Sequence, residues 1–284
     1  MDGPVTVGFD GSPQALAAAE WAVDEAALRG VPLELLQAWP WAAPHLLGTP
    51  DAVAEGRSRL TSAERGLRAL LPGVEVRPVQ MPVSAEDALV AASRTSSLLV
   101  LGSRALTTLR GFLVGSVAQH VLARTACPTV LVRAPVADAP PPAPGIVLGL
   151  DPRSPCDDLL AFAFDTARRR ELPLRVVHAW QPARAAQYLA PTAVAGIEDE
   201  IAGVEQQQFD DLVGAWSEKY PDVGCTATLL RGSAASTLLE AADRPSLLVV
   251  GRRSRRGAPG PHIGHVTHAA VHHARCPVAV VPHE

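Results

Sequence analysis

Along the first 134 residues, short apolar runs alternate with longer stretches in which apolar residues recur every three or four positions. Val5–Phe9 is mostly apolar and is bounded by Pro4 and by Asp10-Gly11-Ser12, the pattern of a strand buried on both faces. Ser12-Pro13 then offers a helix N-cap with proline in the first turn. Leu16, Ala19, Val23, Ala26 and Ala27 give the helix one apolar face, and Gly30 marks its end. Leu33–Ala38, Glu75–Gln80, Leu98–Leu101 and Thr129–Val132 are further strand candidates, with helix-like stretches between them. Five strands alternating with helices predict a parallel sheet covered by helices on both faces, a doubly wound α/β fold.

The pattern then starts again. Val5-Thr6-Val7-Gly8-Phe9-Asp10 returns as Ile146-Val147-Leu148-Gly149-Leu150-Asp151, and Val31–Trp39 returns as Leu172–Trp180. Leu98–Gly102 returns as Leu247–Gly251, and Cys127–Val132 as Cys276–Val281. The offset is 141 positions at Asp10 and Asp151 but 149 at Cys127 and Cys276, so the second copy has about eight extra residues in its middle. Its strands are expected near Ile146–Leu150, Leu174–Ala179, Cys225–Leu230, Leu247–Val250 and Val278–Val281. Between the copies, Pro135, Pro140, Pro141, Pro142 and Pro144 predict a stiff extended linker. The expected organisation is one domain over 1–134, a Pro-rich linker over 135–145, and a second domain over 146–284.

Composition narrows the function classes. The 284 residues are 48% hydrophobic and 19% charged, enough apolar material for packed cores, and aromatics at 4% leave those cores to Ala, Val and Leu. A formal net charge of −4 argues against dedicated nucleic-acid binding through bulk charge. No apolar run reaches the ~18–20 residues of a membrane span, and Met1-Asp2-Gly3-Pro4 has no secretory n-region, so a soluble cytoplasmic protein is expected. Four cysteines without a CxxC spacing are no disulfide framework; Cys127 and Cys276, each before a proline, read as small buried apolar residues.

In a doubly wound sheet, ligands sit outside the carboxyl ends of the strands. Asp10 ends the first strand, Ala38 ends the second, Gly102 follows the fourth, and Gly115-Ser116 precedes an apolar helical stretch. Glycine lets a phosphate approach backbone N–H groups, a helix N-terminus adds favourable partial charge, and a strand-end carboxylate accepts from ribose or base. Those features describe a nucleotide pocket. The same residues also serve ordinary turns and caps, since Asp-Gly-Ser is what a turn into a helix needs.

Val7–Ser12, Gly102-x2-Ala105-x9-Gly115-Ser116 and Cys127–Val132 together resemble the universal stress protein family, and the resemblance extends over both halves. It implies a tandem-domain, Rossmann-like protein that binds ATP, with or without Mg2+. The two domains would contact each other through their last strands, with a homodimer or a regulatory protein as further partners. On matching positions, the resemblance puts Gly8, Asp10 and Ala38 at the adenosine, and Leu101, Gly102, Gly115, Ser116 and Val117 at ribose and phosphates. Ala105 departs from the family's second glycine; were that position left-handed, alanine would cost ~1–2 kcal/mol. In the second half the matching positions are Gly149, Asp151, Ala179, Val250, Gly251, Gly264, His265, Val266 and Thr267. There Ser254 replaces the second glycine and His265 the closing Ser/Thr, leaving Thr267 as the candidate hydroxyl.

The remaining constellations add little. Arg252-Arg253-Ser254-Arg255-Arg256 reads either as a polyphosphate clamp or as a solvated basic loop. His265, His268 and His272 share a helix face, but without thiolate or acidic partners no metal site is expected. No P-loop, HExxH or GxSxG motif occurs, and no residue set reads as catalytic beyond slow ATP hydrolysis. The expectation is therefore a nucleotide-dependent sensor or regulator; the alternative is an interaction protein of the same fold with degenerate pockets.

Overall fold

The computed structural model describes residues 3–39, 50–105, 112–113, 115–134, 141–181, 191–253 and 263–283. The first half runs β1 (Val5–Gly8), α1 (Pro13–Arg29), β2 (Leu33–Ala38), α2 (Pro50–Leu70), β3 (Val76–Met81), α3 (Ala85–Ala92), β4 (Leu98–Ala105), β5 (Phe112–Leu113), α4 (Ser116–Leu122) and β6 (Thr129–Arg133). The second runs β7 (Ala143–Gly149), α5 (Asp157–Arg170), β8 (Leu174–Trp180), α6 (Pro191–Lys219), β9 (Cys225–Arg231), α7 (Ala234–Ala241), β10 (Pro245–Arg253), α8 (His265–His273) and β11 (Val278–His283). Each half is a doubly wound α/β unit.

The start of the chain shows why these elements form. Ser12 caps α1, its hydroxyl accepting from Ala15 N at 3.2 Å, and Gly30 closes the helix at φ 65°. Ala15, Ala18, Ala19, Ala22, Val23 and Ala26 are the buried face between them, whereas Leu16 and Ala27, expected on that face, are exposed. Small residues there let α1 lie close on a sheet made of Val and Leu.

The strand order is β3-β2-β1-β4-β6-β11-β10-β7-β8-β9, with β5 added antiparallel to the end of β4. Neighbours along this path are parallel except β6 and β11, which pair antiparallel through Leu131↔Val278, Val130↔Ala279 and Thr129↔Val280. The two five-stranded units thus share one continuous sheet across a pseudo-twofold seam. One apolar layer lies under α1, α2, α5 and α6, and the other lies under α3, α4, α7 and α8.

Three differences from the sequence reading have physical causes. β4 does not stop at Leu101: Gly102 pairs with Val132 and Ser103 with Arg133, so the supposed turn after the strand is still ladder. β10 likewise carries Gly251, Arg252 and Arg253 as partners of Val281, Pro282 and His283. Finally, β7 begins inside the expected linker, because Ala143 N finds the carbonyl of Arg244 at 2.9 Å, and Gly145 at φ 140° accommodates the following register shift. Linker residues 135–140 lie outside the described residues.

Candidate functional site

The expected site residues of the first half gather at the carboxyl ends of β1, β2 and β4. Asp10 is exposed just beyond β1, where its Oδ1 accepts from Ser12 N at 2.9 Å and closes the turn into α1. Among the described residues no donor meets its other oxygen. Gly11 sits at φ 81°, and the Cδ of Arg59 on α2 lies 3.0 Å from where a Cβ would stand. A guanidinium-bearing chain therefore crosses the Asp10 turn, although the head pairs with Glu55. Sequence reasoning missed Arg59, because an Arg–Glu pair one helical turn apart reads as a solvated face. Ala38 is half-buried and pairs with Met81 at the end of β3.

Several glycines turn out to serve packing. A Cβ on Gly102 would stand 2.4 Å from Gln14 O and 3.0 Å from Ala15 N, so this glycine lets the first turn of α1 press on β4. Gly8 lies against the Leu89 and Leu101 side chains, and Gly149 against Leu238. Leu101 and Val250 are buried in the α3/α4/α7/α8 layer. Ala105 pairs with Phe112 in the β4–β5 hairpin, and Glu171 and Arg244 are the described non-glycine residues at positive φ. The alanine therefore carries no left-handed strain, and the suspected penalty does not arise.

Gly115 and Gly264 are different. They are the N-caps of α4 and α8, at φ −63° and −61°, and no atom of the described residues lies within 4 Å of a Cβ built on either. Any residue can adopt that backbone. What glycine withholds here is a capping side chain: Ser12 and Ser84 bond the first turns of α1 and α3, whereas α4 and α8 have no side-chain cap. The first-turn N–H groups of Ser116 and Val117 have no partner within the helix and receive none from the capping residue, which is the arrangement that suits an anion. Ser116 is exposed and Val117 half-buried.

The second half keeps this frame but fills it from within. Asp151 Oδ1 accepts from Arg153 N at 3.2 Å, and Oδ2 takes Arg253 Nη2 at 2.8 Å. Arg253 also donates to the Ser154 hydroxyl. Thr267 is buried and donates its only hydroxyl proton to Gly251 O at 2.6 Å, so it has none for a phosphate. His283 lies under Gly251, its Nε2 2.4 Å from a would-be Cβ. His265 is exposed at the first position of α8, Val266 is half-buried behind it, and Ala179 is half-buried beside Leu230. Of the arginine loop, Arg252 and Arg253 are described, and both are committed to protein partners; residues 254–256 lie outside the described residues.

Arg252 and a counterpart lock the halves together. Arg252 reaches from β10 to the first half, donating to Ala123 O at 3.3 Å and Thr125 O at 2.5 Å beyond the C-terminus of α4. Arg133 reaches the other way, from β6 to Val271 O on α8 at 2.6 Å, while also donating to Ser103 Oγ at 2.7 Å. Burial pulls the Arg133 guanidinium down to about 10 and lowers Arg252 as well.

A family model described as the universal stress protein family matches residues 1–133 and again 145–282. The chain belongs to the universal stress protein family. A universal stress protein of Mycobacterium tuberculosis (strain H37Rv) is 32% identical over 290 residues, covering 97% of this chain and 95% of that protein. Among solved structures, a universal stress protein from Archaeoglobus fulgidus DSM 4304 superposes with a TM-score of 0.69 at 15% identity, covering 99% of each chain, which shows the shared fold. A universal stress protein solved in complex with cAMP covers 48% of this chain and 100% of its own, at 27% identity and a TM-score of 0.34. In this universal stress protein, no helix among the described residues is long and apolar enough to cross a membrane.

Proposed function

We propose that the first half of this universal stress protein binds ATP at the carboxyl ends of β1, β2 and β4, and that the chain acts by binding, as a nucleotide-dependent regulator. The observation that carries this is the bare N-cap at Gly115, open at the same sheet end as the exposed Asp10 carboxylate. In this reading Asp10 accepts from ribose or base, Ala38 leaves room for the adenine ring, and the N–H groups of Ser116 and Val117 with the Ser116 hydroxyl take phosphate oxygens. Mg2+ would enter with the phosphates. Output would pass to a second copy or to a regulatory protein.

The second half favours the alternative reading, a degenerate pocket kept for packing. Asp151 is already met by Arg253, Thr267 is committed to Gly251, and His265 stands where Ser116 stands in the first half. An exposed ion pair such as Asp151–Arg253 contributes only about 0–1 kcal/mol, so it biases this site without sealing it.

Calorimetric titration of ATP into the full chain tests both halves of the proposal. One equivalent should bind with a Kd on the order of micromolar, about −8 kcal/mol. Gly115→Glu, which places a carboxylate where phosphate should lie, removes most binding, and Gly264→Glu removes little. No heat and no thermal shift at about millimolar ATP would overturn nucleotide binding. A larger loss from Gly264→Glu would move the site to the second half.

A further inference from the structure

We infer that the outer edge of β9 is a self-association surface, to which a second copy of this chain adds its own β9, antiparallel about a twofold axis through Thr228. β3 and β9 are the two outermost strands of the long sheet. They hold the same place in their halves. β3 pairs with β2 from Leu33↔Val76 onward, and β9 pairs with β8 from Leu174↔Cys225 onward, both without a register shift. Leu174 repeats Leu33 in the duplicated sequence, so Ala227, opposite Val176, repeats Pro78, opposite Leu35.

The two edges are finished differently. Leu33 N donates to Glu75 O and Trp39 N to Met81 O, so on β3 the odd-numbered residues face β2 and Val76, Pro78 and Gln80 turn their backbone groups outward. Pro78 therefore sits in the middle of the outward row with no N–H to give, next to the exposed Arg77. Proline and charge are how natural sheets close an edge. On β9, Leu174 N donates to Gly224 O and Gly232 N to Trp180 O, so Cys225, Ala227 and Leu229 turn their N–H and C=O groups outward. Among the described residues no strand pairs with that side. Where β3 has proline, β9 has an alanine with its N–H intact, and Cys225–Leu230 holds neither proline nor charge.

Self-complementarity names the occupant. An axis through Thr228 sets Ala227 of each copy opposite Leu229 of the other, and these outward-turned residues exchange both N–H···O bonds as hydrogen-bonded pairs. Thr228 faces itself, and Thr226 faces Leu230, so no like charges stand opposite each other. Charge also fixes the direction. Arg231 ends the strand and the exposed Asp222 precedes it, so antiparallel pairing brings each Arg231 toward Asp222 of the second copy, whereas parallel pairing would set Arg231 beside Arg231. Such an isologous contact closes at two copies, and Pro78 at both far edges stops the sheet from growing further. A pair of seven-residue strands is small for a stable interface, so the Kd should be on the order of 10–100 µM.

The test is sedimentation equilibrium of the full chain without nucleotide, from about 5 to 500 µM, so it stands or falls apart from ATP binding. A reversible monomer–dimer equilibrium in the stated range is expected, with no larger species. Amide hydrogen exchange at Ala227 and Leu229 should slow as concentration rises, while Thr226 and Thr228, already bonded to β8, should not change. Ala227→Pro copies the other edge and removes no bond to β8; it should raise the Kd about tenfold or more, with circular dichroism checking the fold. Thr228→Cys gives a reading independent of that variant. Facing Cα atoms in a non-hydrogen-bonded antiparallel pair are about 4.5 Å apart, within the roughly 4.4–6.8 Å of a disulfide, so mild oxidation should join two copies of this variant but not of the parent. A chain still monomeric at about 500 µM, a dimer equally tight in Ala227→Pro, or a Thr228→Cys chain that does not cross-link would each overturn the surface.

Discussion

A single missing Cβ does different work at different glycines, and this separates packing from ligand binding. Gly102→Ala would drive a methyl group to 2.4 Å from the carbonyl oxygen of Gln14, a backbone atom that cannot swing away. Thermal or denaturant melts should show a loss of about 1–3 kcal/mol. Gly115→Ala meets no atom of the described residues within 4 Å at an ordinary φ, so its melt should match the parent within about 0.5 kcal/mol. Buried thiols give a second residue-scale expectation. Burial pushes Cys127 and Cys276 from 9.0 up to about 12, so the folded chain holds protons that the unfolded chain releases above 9.0. A raised folded-state value means that this contribution is complete below 9.0 and is lost as pH climbs toward 12. Each thiol should cost at most about 1.4 kcal/mol per pH unit across that window. Denaturant melts at several alkaline pH values should show the slope, and a Cys127→Ala/Cys276→Ala chain should show a shallower one.

At the scale of elements, the two halves are joined by helices as well as strands. Glu25 on α1 is buried and bridges Arg29 of its own helix at 2.7 Å and Arg170 of α5 at 2.6 Å. Arg170 also stands over the Trp21 ring at 4.9 Å, and Arg169 donates to Leu28 O at 3.2 Å. One carboxylate is therefore shared by two guanidinium groups that have lost much of their water. Glu25→Gln should destabilise the whole chain by about 3–5 kcal/mol, because it strands buried charge rather than merely deleting a contact. A melt of that variant within about 1 kcal/mol of the parent would show that water reaches the arginines after all.

At the scale of the whole molecule, the β6–β11 pairing turns two sheets into one. All five residues of β6, Thr129–Arg133, are buried, and its antiparallel partner comes from the other half. A strand left with an unpaired, apolar edge is a template for association. The segment 1–134 made alone should therefore self-associate or precipitate, and mixing it with 141–284 should restore a 1:1 soluble complex, read by light scattering. A stable monomeric 1–134 would show that the seam is dispensable.

The sequence by itself determined the duplication, the strand and helix periods, the caps at Ser12 and Gly30, and the placing of Asp10 at a strand end. These are local or periodic signals, set by side-chain alternation and by turn chemistry within a few residues. It left Gly102 and Gly251 looking like turn glycines, because nothing nearby in the chain announces that β6 and β11 continue far enough to extend the ladder. Tertiary structure alone decided that Asp10 stays open while Asp151 is met by Arg253, and that Arg133 and Arg252 cross between halves. Those contacts join residues about a hundred or more positions apart, where no periodicity links the partners. What selects them is three-dimensional: a buried guanidinium must find acceptors wherever the packed elements bring carbonyls and carboxylates within reach.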